Sequence, residues 1–231
     1  KRLADSYKVE AKVLESGLLL NDGKGRFTFR PLPRIAQIAP TFGIVAEDFD
    51  VDGYVDLVLA QNFFSPQPET GRMAGGLGQF LRGNGDGTFT PLSLEKSGIV
   101  VKGDSRSLAA PDLDGDGRPD LVFARNDDSP TLFLNNDALE VPGKRRLSIR
   151  LQGSKGNSQG IGSRLTLHFP DGSTQAAETH AGSGYLTQTP AILNFGLGKD
   201  ASAAIEVRWP NGKTTTTQIS PEINELILSV P

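Results

Sequence analysis

Two nine-residue stretches carry most of the chemistry this chain can do: DFDVDGYVD, Asp48 to Asp56, and DLDGDGRPD, Asp112 to Asp120. Both follow D-x-D-x-D-G-x-x-D and run into apolar segments, LVLA (Leu57 to Ala60) and LVFA (Leu121 to Ala124). Carboxylates fall at positions 1, 3, 5 and 9, and glycine stands at position 6, where the chain must turn sharply. Hard oxygen donors spaced in this way are what Ca²⁺ selects. The spacing nominates Asp48, Asp50, Asp52 and Asp56 as ligands of one ion, and Asp112, Asp114, Asp116 and Asp120 as ligands of a second. Tyr54 and Arg118, at position 7, would each add a backbone carbonyl.

Electrostatics points the same way. Two carboxylates about 4 Å apart repel by roughly 4 kcal/mol at an effective dielectric near 20. Four in one tight loop need a cation to stay ionised together. The plain alternative is a solvated acidic turn; a second copy followed by the same kind of strand argues against it. An EF-hand fits poorly, because its loop lies between helices and closes with a bidentate glutamate at position 12. Position 12 here is Leu59 or Phe123, each inside a β-type run.

These loops resemble the FG-GAP repeats of integrin-type β-propellers and the related VCBS repeats. The resemblance implies four-stranded blades, each with one such loop between its first two strands. The rest of the N-terminal part agrees. LLLNDGKGRFTF (Leu18 to Phe29) reads as a hairpin and returns as FLRGNGDGTFT (Phe80 to Thr90), 62 residues later. The aspartate loops return after 64. Two motifs recurring in one order at nearly one interval are an internal repeat. A clipped third echo of the hairpin is LFLNND, Leu132 to Asp137.

One complete blade is expected at about 41–95 and a shortened one at about 105–140, preceded by the tail of an earlier blade. A closed propeller needs at least four blades, so most of the ring is expected upstream of Lys1. Residues 1–16 give only a weak pattern, a strand or a short helix. An insertion, Gln61 to Gln79, places Phe63 and Phe64 in a Pro/Gly-rich loop, either a binding loop or a plug folded back on the blade.

From Lys144 the pattern becomes strict alternation: RLSIRLQ, SRLTLHF, AAIEVRW and TTTTQI. About eight such strands, YLTQT among the β-like segments, predict a β-sandwich. GNSQGIGSRLTLHF (Gly156 to Phe169), AGSGYLTQ (Ala181 to Gln188), LNFGLG (Leu193 to Gly198) and VRWPNGK (Val207 to Lys213) resemble the ASPIC/UnbV domain. A propeller of FG-GAP type followed by this domain is similar to the layout of the cartilage acidic protein family. That resemblance implies a secreted or surface protein and brings no established catalytic activity.

The 231 residues contain 27 glycines, 15 prolines and no cysteine. Disulfides and thiolate chemistry are therefore excluded, and the composition suits a turn-rich all-β chain. Residues 1–140 hold 15 basic and 21 acidic side chains, and residues 141–231 hold 9 and 6. Neither half offers a basic nucleic-acid footprint, and the sequence holds no apolar run long enough to span a bilayer. His168 lies on the polar phase of a strand, and His180 precedes a glycine-rich turn. Neither has triad or zinc spacing. GSGY (Gly182 to Tyr185) leads into a β-like segment rather than a helix, so it lacks the N-terminus a phosphate site needs. Lys102-Gly103-Asp104 matches an integrin-recognition tripeptide too short to carry weight.

The expectation is thus an all-β chain: partial propeller blades with calcium loops at 1–140 and a β-sandwich at 141–231. Two structural Ca²⁺ ions are expected, in a non-enzymatic adhesion or scaffold protein outside the cytoplasm with a protein or glycan partner. Neither nucleic acid nor membrane insertion is expected, and open blade edges could pair between molecules. The alternative is a carbohydrate-active lyase or hydrolase whose active site lies outside this segment.

Overall fold

The computed structural model describes residues 7–136, 139, 142–198 and 201–231. Strands dominate, and they form five antiparallel or mixed sheets among the described residues. β1 (Gly17–Asn21) and β2 (Phe27–Pro31) make the first hairpin. β3 (Thr41–Glu47), β4 (Asp56–Gln61), β5 (Gln79–Gly83) and β6 (Phe89–Pro91) follow in chain order as one four-stranded antiparallel sheet. β7 (Asp104–Ala109), β8 (Leu121–Asn126) and β9 (Asp128–Phe133) make a three-stranded copy. This is the expected order: a hairpin, a full blade and a shortened one.

β4 shows why the blades stack. Its residues DLVLAQ are buried throughout, and successive side chains point to opposite faces. Leu57 and Leu59 pack with Leu81, Leu32 and Ala36 on the side of the first hairpin. Val58 and Ala60 pack with Phe80, Leu108, Leu121 and Phe123 on the side of the next blade. A strand that is covered on both faces reads as a continuous apolar run. The LVLA signature is that run.

The C-terminal part comprises β10 (Lys144–Gln152), β11 (Arg164–His168), β12 (Thr174–Glu178), β13 (Ile192–Gly198), β14 (Ala203–Arg208), β15 (Thr214–Ile219) and β16 (Glu225–Ser229). One sheet has the order β13-β10-β16, with β10 and β16 parallel, and the other β12-β11-β14-β15. Leu147, Ile149 and Phe195 of the first share one core with Leu165, Leu167, Ile205 and Val207 of the second. The two sheets therefore form a sandwich. Trp209 is buried in that core, and its indole N–H donates to Thr215 Oγ1 at 2.9 Å.

Two local expectations are corrected. Seven strands, not about eight, are found in this part among the described residues, because YLTQT is irregular. Leu186 within it has φ +52°, which breaks an extended run. Residues 7–16 form neither strand nor helix; residues 1–6 of that stretch lie outside the described residues. His168 is exposed, as its strand phase predicts, and so is His180.

The insertion after β4 folds back. Phe63 and Met73 pair as a β-bridge, and Asn62 closes the base, donating to Gly76 O at 2.8 Å and Gly103 O at 2.7 Å. Phe63 meets Phe42 edge-on at 5.6 Å, and the Arg106 guanidinium lies over both rings. Phe63 is a plug.

Candidate metal centres

The first aspartate loop joins β3 to β4, and the second joins β7 to β8. Both fold by a shared set of internal hydrogen bonds, to which the second loop adds one from Gly115 N to Asp112 Oδ1 at 2.8 Å. Asp48 accepts the N–H of Asp52 at 3.1 Å through Oδ1 and that of Gly53 at 2.9 Å through Oδ2. Asp112 accepts from Asp116 at 3.2 Å through Oδ1 and from Gly117 at 3.0 Å through Oδ2. Asp50 and Asp114 accept the same Asp52 and Asp116 N–H groups, each at 3.2 Å. Asp52 holds the N–H of Tyr54 at 2.8 Å, and Asp116 that of Arg118 at 2.8 Å. Position 6 is left-handed in both, Gly53 at φ +95° and Gly117 at +82°, a conformation glycine adopts without a Cβ penalty.

The result is two carboxylate triads, Asp48-Asp50-Asp52 and Asp112-Asp114-Asp116. Each presents ligand oxygens that all lie within 4.8 Å of one another. Such a triad could hold a metal ion. Asp56 and Asp120 stand outside the triads and act first as ties. Asp56 accepts from Phe49 N at 3.1 Å and, across to β5, from Gly83 N at 2.9 Å. Asp120 repeats this with Leu113 N at 2.7 Å and Asn135 N at 2.8 Å. Each carboxylate oxygen keeps a second lone pair, so the tie and a ligand role are compatible.

Arg82, on β5, was not indicated by the sequence pattern. It pairs with Asp50 at 2.5 Å and with Asp52 at 3.3 Å. Arg118 pairs with Asp116 in the second loop. Arg82 and, from β10, Arg146 do not balance the four carboxylates of the first loop. Burial pushes the Asp48 carboxyl up to about 6, opposed by the Gly53 N–H and reinforced by Asp52 and Asp50. Burial likewise pushes Asp56 up to about 7 and raises Asp50. Buried carboxylates short of positive charge, arranged as an oxygen cage, fit a hard divalent cation.

The two loops differ in setting. Asp48 and Asp50 are buried, 5% and 2% exposed, whereas Asp112, Asp114 and Asp116 are exposed. Tyr54 lies over Gly85, where a Cβ would collide with its ring, and is half-exposed. The tripeptide at Lys102 is not available for recognition: Asp104 is buried and pairs with Arg106 at 2.9 Å.

Residues 71–123 match the model of the FG-GAP-like repeat, and residues 153–228 match that of ASPIC and UnbV. The chain joins an FG-GAP-like repeat to an ASPIC/UnbV domain. The FG-GAP-like match runs from the insertion through the second aspartate loop into β8, and the ASPIC/UnbV match takes in β11 to β15. Cartilage acidic protein 1 of Homo sapiens is 27% identical over 89% of this chain and 30% of its own length. The Xenopus tropicalis protein of that name is 26% identical over 89% of this chain and 31% of its own length. The chain thus spans less than a third of these relatives. A solved γ-CGTase from Alkalophilic bacillus clarkii aligns with 75% of this chain and 25% of its own, at 8% identity and a TM-score of 0.20. No helix among the described residues is long and apolar enough to cross a membrane.

Proposed function

We propose that this chain is a calcium-binding adhesion or scaffold module that works outside the cytoplasm and binds a protein or glycan partner without catalysing a reaction. The carrying observation is the duplication of one oxygen cage. Two loops 64 residues apart share one set of hydrogen bonds and converge the same three aspartates. Asp48, Asp50 and Asp52 with the Tyr54 carbonyl, and Asp112, Asp114 and Asp116 with that of Arg118, would hold one Ca²⁺ each, with Asp56 and Asp120 closing the sites. The ion supplies positive charge that offsets carboxylate repulsion, and the loops then fix the β3–β4 and β7–β8 connections. The role is structural. Relatives named for cartilage, an extracellular tissue, agree with a site of action where calcium is abundant.

We also place the division between the propeller-type blades and the ASPIC/UnbV domain at about residue 140, with the remaining blades supplied by a longer parent chain. Calorimetric titration with calcium tests the metal reading. Two sites are expected in the wild type and one in either Asp50→Asn or Asp114→Asn. Because the unfolded chain lacks the cages, calcium at about 100 times Kd adds roughly 2.7 kcal/mol per site. No binding heat, together with a melting curve indifferent to EDTA, would remove the proposal.

A further inference from the structure

The same motif is buried in one blade and exposed in the other, and the C-terminal sandwich covers the buried copy at Asp48, Phe49, Val51 and Gly53. β10, β12 and β13 pack against the first loop. Arg146 of β10 donates from Nη1 to the Asp48 carbonyl at 2.8 Å and from Nη2 to the Phe49 carbonyl at 3.1 Å. Gly196 of β13 lies directly behind the loop. A Cβ there would overlap Asp48 Oδ2 and come within 2.8 Å of Val51 C and 2.9 Å of Gly53 N. Gln175 of β12 donates to Gly196 O at 2.9 Å, and its Nε2 would stand 3.1 Å from a Cβ on Gly53. Val51, 1% exposed, is held at φ +61°. A β-branched residue is strained there. The second loop is left-handed at the same position, with Gly115 at φ +80°, so the turn belongs to the motif and the covered copy differs in holding it with a branched side chain. The second loop faces the sandwich across a cleft of about 280 Å³ between Asp112, Gly117 and Arg118 on one side and Ser148, Arg150 and Ile227 on the other.

We propose that the first loop is a composite metal site, finished by the sandwich through Arg146 and Gly196, so that metal occupancy there and docking of the sandwich stabilise each other, while the second loop binds independently. The proposal rests on the metal reading above. Arg146 holds the loop's carbonyls, Gly196 lies against its backbone and the Asp48 carboxylate, and neither supplies a side-chain ligand, so they are positioning residues. The coupling is reciprocal: whatever the docked sandwich adds to metal affinity, the metal adds to docking.

The first loop can be read alone, because Tyr54 occupies its position 7 where the second loop has Arg118. Terbium(III) seated beside a tyrosine emits on tyrosine excitation, and Tyr54→Phe identifies that signal. In the full chain, Arg146→Ala should weaken terbium binding at the first loop about tenfold, as expected for loss of charged-donor hydrogen bonds, with Arg146→Lys intermediate. Calcium affinity of the second loop, measured calorimetrically in an Asp50→Asn background, should stay unchanged. First-loop affinity within twofold of wild type would overturn the proposal, and so would an equal loss at both loops.

A reciprocal measurement leaves the sandwich untouched, in case Arg146→Ala does not fold. Trp209 is the single tryptophan, so its fluorescence follows the sandwich. Calcium should raise that melting midpoint in wild type and in Asp114→Asn, and fail to do so in Asp50→Asn. An equal rise in both variants, or none in wild type, overturns the coupling. Absence of both tyrosine-sensitised terbium emission and calcium heat in every form would instead bring down the metal reading itself.

Discussion

Asp56 and Gly83 are joined by a 2.9 Å hydrogen bond, carboxylate to backbone N–H, across 27 residues of chain. The other oxygen of Asp56 takes the N–H of Phe49, so one fully buried side chain fastens its own loop to the third strand of the blade. Asp120 does the same for Leu113 and Asn135.

Replacing either aspartate by alanine leaves two N–H groups without their partner. At about 1–3 kcal/mol for each buried donor so exposed, Asp56→Ala should destabilise the chain by roughly 3 kcal/mol or more. Melting in EDTA checks this, since it removes any contribution from a metal. For a domain of this size, about 1 kcal/mol moves the midpoint by roughly 2–4 °C. A change of under 2 °C would mean that the tie contributes little.

Much of this was legible in the sequence for a local reason. The aspartate loops, the glycine-turn hairpins and the LVLA and LVFA strands are short motifs whose spacing reports their own backbone. The alternating strands of the sandwich report one buried face in the same way. What was not legible is long-range. Nothing near Asp48 announces that Gly196, in LNFGLG, will lie behind it, because a missing side chain gives no periodic signal. Arg82 also escaped notice: its place in FLRG reads as the polar phase of an edge hairpin. YLTQT misled because β-type composition lost to tertiary contacts. The Tyr185 ring packs on Phe42 at 5.4 Å, and its carbonyl accepts from Ser107 Oγ at 2.7 Å.

The metal-free chain should be more stable at pH 5 than at pH 8. Burial raises Asp48 to about 6 and Asp56 to about 7 from 3.8, and Glu47, between Arg146, Asn194 and Asp48, to about 7 from 4.5. Raised folded values mean the folded state binds these protons more tightly than the unfolded chain. Their contribution is fully present below the unfolded values and is lost as pH rises through about 6 to 7. Denaturant unfolding in EDTA across pH 4.5–8 reads this. Calcium should restore stability at the alkaline end, because the cation replaces the protons. A flat or rising EDTA profile over that window would contradict the burial of these carboxyls.

Asp104→Ala should act on folding rather than recognition. Asp104 is buried, pairs with Arg106 and accepts from Asn126 Nδ2 at 3.1 Å. Its removal strands a guanidinium between the Phe42 and Phe63 rings, and breaking a buried pair costs about 3–5 kcal/mol. Melting should show the loss. If the variant instead melts as wild type and only a cell-binding assay changes, Asp104 is a recognition residue after all.

Residues 142–231 should fold alone. Their core draws on both sheets, including Leu147, Phe195, Ile205 and Trp209, and among the described residues it closes without one from the blades. The parallel β10–β16 pair brings the two ends of the segment together in one sheet, so no upstream strand is needed to complete it. Separation would uncover the face that meets the first loop, where Arg146 would lose both carbonyl partners and Gly196 its loop backbone. The isolated segment should therefore give a dispersed amide NMR spectrum with shielded Trp209 emission, at somewhat lower stability than in the full chain. On comparison with the full chain, shift differences should gather at Arg146, Gln175 and Gly196 and at the Tyr185–Thr189 segment that contacts β7, and they should be small in β14 and β15. A poorly dispersed spectrum would mean that the sandwich depends on the blades for its fold, and differences spread through β14 and β15 would mean that the seam extends into its core.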